Sequence, residues 1–112
     1  MREEFKYNQL FAGEVKYITT ANVAAGTYKR GTILASADGI SYAPATEIKK
    51  ANAHLICSED VTHGAEGVVT VYKEGFFNKR VVAEANTEGI VTDDAVEILK
   101  TQNIFLEDTI VQ

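Results

Sequence analysis

The stretch VAAGTYKRGTIL at residues 23–34 decides the fold of this chain. Gly26 and Gly31 bracket a short polar turn, and glycine tolerates the positive φ that a tight corner needs. The TIL run that follows is β-branched and apolar, which favours a half-buried strand. The stretch therefore predicts two strands joined by a structural turn, with the Lys29-Arg30 pair exposed at the corner.

The composition is that of one small globular domain. A chain of 112 residues that is 46% hydrophobic can bury a single core. The formal net charge of −5 repels phosphate backbones, so we expect no direct nucleic-acid partner. No stretch approaches the roughly 20 apolar residues of a membrane helix, and we expect no membrane association. The lone Cys57 cannot form an internal disulfide and fits a chain made in a reducing cytoplasm.

Runs of β-branched and apolar residues predict the strands of the domain. These runs lie at residues 14–21, 32–36, 40–42, 54–57 and 68–74. Asp38-Gly39 is a strong turn signal and predicts a hairpin around it. We expect a loop or a short helical turn at residues 43–53, a loop at 60–67, and a break of the last run at Gly75.

One helix is predicted near the C-terminus. Thr92 and the Asp93-Asp94 pair supply N-cap oxygens and negative charge, and Lys100 lies in the last turn. Asn103 suits the left-handed exit, and the apolar residues after it predict a final strand. The fold class is therefore mainly β with one short C-terminal α-helix (α+β), as a compact small β-barrel or β-tulip-like domain.

Residues 1–12 are interpreted as an extended N-terminal arm, and residues 13–112 as the single domain. Phe5 and Tyr7 alternate with Lys6, which is the period of a strand. A frayed terminus is the alternative interpretation. The aromatic residues of the chain crowd near its ends and around one glycine-flanked turn. Core packing explains most of them, and a subset suits a contact surface because aromatic side chains anchor interfaces.

Three side chains invite a metal or nucleophile hypothesis. His54 and Cys57 are three residues apart in a predicted strand, so they should point to opposite faces. Zinc sites usually carry paired close ligands, which this spacing lacks. Cys57 is interpreted as a core residue and His63 as a polar loop residue. We expect no metal site and no cofactor.

Adjacent acidic residues do not form a catalytic pair in this sequence. The carboxylates of Glu59-Asp60 are neighbours in the chain, and neighbours do not converge on one substrate. Asp93-Asp94 is explained by helix capping. The chain is therefore expected not to be an enzyme and to have no catalytic residues. A hydrolase that uses Glu59, Asp60 or His63 remains an alternative.

Three separated motifs resemble the head decoration proteins of lambda-type tailed phages. The first is LFAGE at residues 10–14, and the second is AAGTYKRGTIL at residues 24–34. The third is the helix and NIFL exit that follow Asp93. Each motif is short, but the order and spacing of all three agree with those of the family. The family often has proline shortly after the acidic residue of the first motif, whereas this chain has Val15.

The resemblance implies a structural virion protein that acts without catalysis. Family members bind the outside of the capsid as trimers at threefold positions and stabilise the expanded shell. Their N-terminal arm adds a strand to the major capsid protein, a form of β-augmentation. The implied location is the capsid exterior, with the host cytoplasm during assembly. The arm residues implied to bind the capsid are Phe5, Tyr7, Leu10 and Phe11.

The second function considered is a small β-barrel adaptor, carrier or ligand-binding module of a larger enzyme system. Barrel-sandwich carrier domains also contain a Gly-Thr-Ile-Leu type of strand. Such carriers need an exposed lysine at the tip of a hairpin, and Lys29 is not in a clear hairpin of that kind.

Overall fold

The computed structural model describes residues 10–107 and is mainly β. Within that range the strands are β1 (Phe11–Val23), β2 (Gly26–Tyr28), β3 (Ile33–Ser36), β4 (Ser41–Pro44), β5 (Ala53–Cys57), β6 (Val61–His63), β7 (Gly67–Asn78) and β8 (Ile104–Glu107). The helices are α1 (Lys79–Ala85) and α2 (Asp93–Lys100). The predicted fold class, a small mainly β domain with a barrel, is confirmed.

Five strands close into a barrel in the order β1-β4-β3-β5-β7, with β7 pairing back to β1. All of these pairings are antiparallel except that of β1 with β4. Strand β8 extends the sheet beyond the barrel by pairing in parallel with the end of β7. The short strands β2 and β6 form a separate antiparallel pair.

The strands of the barrel bury two separate groups of apolar side chains, because β3 and β5 are buried on both faces. We name the first group the barrel core, and β2 contributes Tyr28 to it. Its members are Ala21, Val23, Tyr28, Leu34, Leu55, Cys57, Val69 and Val71. Consecutive residues such as Ile33 and Leu34 belong to different groups, as the alternation of a strand requires.

We name the second group the outer core, because it lies between the barrel strands and the segments that cover them. Its members are Leu10, Ile33, Ala45, Ile56, Phe77, Val82, Ile90, Leu99, Ile104 and Leu106. These side chains come from both helices, from β8 and from the residue before β1. The helices therefore close the molecule by covering one outer side of the barrel.

Strand β7 is longer than predicted, and a β-bulge separates the part that pairs within the barrel from the part that pairs with β8. Ile18 pairs with Tyr72 and Tyr17 with Glu74, so Lys73 is the extra residue of the bulge. The extra residue places Tyr72 and Phe77 on the same face, and their ring centroids are 5.9 Å apart. The predicted end of the strand at Gly75 is wrong, because the strand continues to Asn78. Gly75 pairs with Ile104, and its N–H donates a hydrogen bond to Asn103 O at 3.0 Å.

The structure corrects the prediction of a single helix. Helix α1 follows β7 directly, with Asn78 as its N-cap. The Asn78 side chain accepts a hydrogen bond from Arg80 N at 3.1 Å. The segment was missed because its seven residues carry no acidic residue in the first turn and no basic residue in the last. Tertiary packing of Val82 in the outer core stabilises this short helix.

Other predicted elements are confirmed with small changes. Asp38 holds the predicted hairpin turn, because its Oδ1 accepts hydrogen bonds from Ile40 N and Ser41 N. Helix α2 begins after Thr92, whose Oγ1 accepts from Ala95 N at 3.1 Å. The predicted loop at residues 60–67 contains β6, which pairs with β2.

Candidate partner-binding surface

Both termini leave the described domain at the same end of the sheet. Asn78, the last residue of β7, donates its backbone N–H to Leu10 O at 2.7 Å. On the other side of β7, Asn78 is in register with Glu107, the last residue of β8. We call this place the terminal end of the sheet. Residues 1–9 and 108–112 therefore connect to the domain on either side of one buried asparagine.

The described structure includes the last three residues of the predicted arm. Leu10 is fully buried in the outer core, so it is a core residue and not an exposed arm residue. Phe11 begins β1, and its backbone pairs with Phe77. Residues 10–12, which the prediction assigned to the arm, are therefore part of the described domain. Phe5 and Tyr7 lie outside the described residues.

The two glycines of the corner have different conformations. Gly26 begins β2 with φ of 154° and Gly31 has φ of 97°, and a side chain would be strained at either position. A Cβ added at Gly31 would lie 3.2 Å from Ala85 Cβ and 3.4 Å from Leu10 Cδ1. The corner therefore packs beneath α1 and against the residue that anchors the N-terminus.

Asn86 fixes this arrangement, although no sequence pattern predicts a role for it. Its Nδ2 donates to Gly31 O at 3.1 Å and to Val82 O at 2.6 Å. Its Oδ1 accepts from Ile33 N at 2.8 Å. One side chain thus joins the end of α1 to the last residue of the corner and to the start of β3. The helix was not predicted, so an asparagine at its C-cap could not be assigned a role.

The cations of the corner are not equivalent. Lys29 is exposed, whereas Arg30 is half-buried and its backbone N–H donates to Asp60 Oδ1 at 2.8 Å. The two strands that flank them, β2 and β3, pair with different strands and not with each other. Lys29 therefore does not lie at the tip of a hairpin, the position that a carrier domain needs.

A cleft lined by two stacked phenylalanines lies near the terminal end. The ring centroids of Phe76 and Phe105 are 4.7 Å apart, with 17° between their planes. Both rings are half-buried, and the cleft beside them has a volume of about 270 Å³. Glu74, Gly75 and Asn103 complete its lining. Asn103 Nδ2 donates to Glu74 Oε2 at 3.3 Å and holds the carboxylate at the cleft.

A second feature lies on the outer surface of the barrel, where β1 and β7 pair. Ile18 is 65% exposed and Val68 is 54% exposed. Between them the paired residues are Thr20 and Thr70, so this strip carries no charge. Contiguous apolar patches mark contact surfaces, and in this strip the two exposed apolar side chains are separated by the threonine pair.

The residues considered for metal or nucleophile chemistry are not brought together. Groups of three or more metal-ligating side chains are absent from the described part of the chain. Cys57 lies in the barrel core, as predicted, and burial raises the pKa of its thiol. His54 is buried beside Gln102, whereas His63 lies on β6 with Nε2 3.2 Å from Val68 O.

The predicted acidic pairs have structural roles in the described chain. Asp60 accepts the hydrogen bond from Arg30 N. Asp93 and Asp94 lie in the first turn of α2, where their charge favours the helix dipole. This position agrees with their prediction as capping residues.

Two further observations bear on function. Within residues 10–107, neither helix is long and apolar enough to cross a membrane. No family model matches the sequence, and a search of curated proteins finds no match.

Proposed function

We propose that this protein binds the outer surface of a phage capsid and stabilises the expanded shell. In this proposal it acts as a trimer at threefold positions, and its N-terminal arm adds a strand to the major capsid protein. It needs no cofactor and performs no catalysis. The protein is located on the virion exterior, after assembly in the host cytoplasm.

The observation that carries the proposal is the contact between two parts of the sequence resemblance. The first motif begins at Leu10 and the second contains Gly31, and these residues pack against each other. The resembling residues thus form one structural unit, which anchors the segment that would reach the shell. Leu10 is held by a buried side chain and by the hydrogen bond from Asn78 N.

The arm of the proposal is residues 1–9, since Leu10 belongs to the core. Ordering an extended segment costs conformational entropy for every residue, so a single arm should bind weakly. Three arms on one trimer raise the effective concentration of each at the shell, which gives tight attachment. The uncharged strip with Ile18 and Val68 is a surface on which copies of the chain can associate.

Co-sedimentation with expanded, undecorated capsids of the phage that encodes the protein tests this function. We expect the wild-type protein to bind and to raise the temperature at which the capsids break. Deleting residues 1–9 should abolish attachment while the circular dichroism spectrum and melting stay native. The double variant Phe5→Ser with Tyr7→Ser keeps the length of the arm and should bind as poorly. Absence of wild-type binding would sink the proposal, and full binding by the deletion variant would sink the arm mechanism.

Light scattering tests the trimer separately. We expect Ile18→Asp to reduce self-association, because a charge on the uncharged strip opposes contact between copies. Ile40→Asp is the matched control, since Ile40 is 66% exposed and lies outside the strip. Equal effects of the two substitutions on self-association would show that the strip is not part of the trimer interface.

A further inference from the structure

The cleft beside Phe76 and Phe105 has the lining of a site for one cationic side chain. The two stacked rings form an aromatic wall, and the Glu74 carboxylate lies at the same cleft. Aromatic faces attract cations, and a carboxylate within reach adds a charge-assisted hydrogen bond. A volume of about 270 Å³ fits a single large side chain and not a folded segment.

Glu74 has no cationic partner among the side chains that the structure describes. The ion pairs found there join Lys79 to Asp93, Arg80 to Glu84 and Lys100 to Glu97. None of these pairs involves the residues that line the cleft. The hydrogen bond from Asn103 Nδ2 orients the Glu74 carboxylate, and no cation among the described side chains neutralises its charge.

We propose that this cleft binds one arginine side chain presented by a partner protein. A guanidinium is planar, so it can stack on a phenylalanine face while its N–H groups donate to Glu74. An ammonium is a strongly hydrated point charge that cannot stack in this way. A partner cation also complements the formal net charge of −5 of this chain.

The position of the cleft ties it to the terminal end of the sheet. Phe76 is in register with Phe105, and two residues further along the strands Asn78 is in register with Glu107. A partner that meets the segment before Leu10 therefore lies next to the cleft as well. The identity of the partner as the capsid shell rests on the proposed function, whereas the preference for arginine rests on the cleft alone.

Titration by nuclear magnetic resonance with N-acetyl-arginine amide tests the cleft without any capsid. We expect the signals of the Phe76 and Phe105 rings to shift with arginine amide and to shift much less with N-acetyl-lysine amide. Glu74→Gln keeps the shape and the acceptor for Asn103 but removes the charge. We expect it to weaken the association about three- to tenfold. Glu66→Gln, at the other end of β7, is the matched control and should bind like the wild type.

Phe105→Leu separates the aromatic face from simple apolar contact, and it should weaken arginine binding by a similar factor. Absence of ring shifts, equal binding of lysine amide, or unchanged binding by Glu74→Gln would each overturn the inference. With capsids, Glu74→Gln should bind less than Glu66→Gln. Equal capsid binding of these two variants would overturn the capsid shell as the partner of the cleft and leave the proposed function standing. Failure of the wild type to bind capsids would refute the proposed function. The amide titration would still test whether the cleft binds arginine.

Discussion

The barrel core and the outer core share strands but differ in how the chain builds them. The barrel core is filled by strand residues that alternate along β1, β3, β5 and β7, together with Tyr28 of β2. The outer core combines segments from far apart in the sequence, from Leu10 at one end to Leu106 at the other. The first is thus the inside of a closed sheet, and the second joins the two ends of the described range to that sheet.

The difference between the cores has a functional meaning. The residues of the terminal end, Leu10 and Phe77, are fully buried members of the outer core. Any segment that extends from Leu10 to a partner is therefore anchored in the outer core and not in the barrel. Substitutions in the outer core should affect both stability and the position of the terminal end, whereas those in the barrel core should affect stability alone.

Phe77→Ala is expected to have the largest effect. Phe77 is among the largest fully buried side chains and packs with Tyr72 across the bulge. Removing a buried phenylalanine ring costs about 3–5 kcal/mol, from lost burial and the cavity left behind. Denaturant unfolding followed by circular dichroism measures the loss.

Val71→Ala in the barrel core is the control for that variant. This substitution should lower the free energy of unfolding by less, roughly 1.5–3 kcal/mol, because it removes fewer buried carbon atoms. Both variants should unfold in one transition if the cores form a single cooperative unit. Two transitions for Phe77→Ala would show that the outer core unfolds separately, so that the domain contains two cooperative unfolding units.

Leu10→Ala is the next largest change and tests where the domain begins. A buried leucine replaced by alanine should cost about 2–5 kcal/mol of unfolding free energy. Deleting residues 1–9 keeps every described member of both cores, so it should change stability much less. Thermal melting of the two variants measures the difference. A deletion as destabilising as Leu10→Ala would place part of the fold before residue 10.

The barrel could be predicted from the sequence because its signals are local. Alternation marks residues 68–71 as a strand, and Asp38-Gly39 marks a turn that the structure contains. The N-cap of α2 was equally local, with Thr92 before a pair of acidic residues. These features depend on residues that are close together in the sequence, so a sequence pattern can predict them.

The outer core could not be predicted in the same way. Helix α1 has no charged capping pattern, and its stability comes from packing of Val82. The bulge at Lys73 lets β7 continue past Gly75, and nothing local distinguishes that glycine from one that ends a strand. Leu10 looked like part of an arm because its burial depends on α1 and the corner. The cleft of Phe76 and Phe105 depends in turn on the pairing of β7 with β8.

Asn86→Ala tests the link between α1 and the corner at the edge of the outer core. The substitution removes hydrogen bonds to Gly31 O, Val82 O and Ile33 N. Leaving buried backbone groups without partners should cost about 1–3 kcal/mol. The exposed neighbour Thr87 provides the control Thr87→Ala, which should be within about 0.5 kcal/mol of the wild type. Equal stability of the two variants would mean that water replaces the Asn86 side chain without cost.

His54 should give the smallest effect, as a dependence of stability on pH. His54 is 3% exposed, and its backbone N–H donates to Gln102 Oε1 at 3.0 Å, which ties β5 to the segment after α2. Burial lowers the pKa of the His54 imidazole, and the hydrogen bond from its Nδ1 to Gln102 opposes that shift only in part. The unfolded chain therefore binds a proton more readily than the folded one.

The sign of the pH effect follows from that difference. The stability due to neutral His54 is fully present above its unfolded pKa, about 6.5, and is lost as the pH falls below it toward the lowered folded pKa. The loss cannot exceed about 1.4 kcal/mol for each pH unit. Unfolding measured between about pH 7.5 and 5.5 stays above the range in which carboxylates titrate. His54→Gln should flatten the dependence in this window. An unchanged slope in that variant would mean that a group other than His54 links stability to pH in this window.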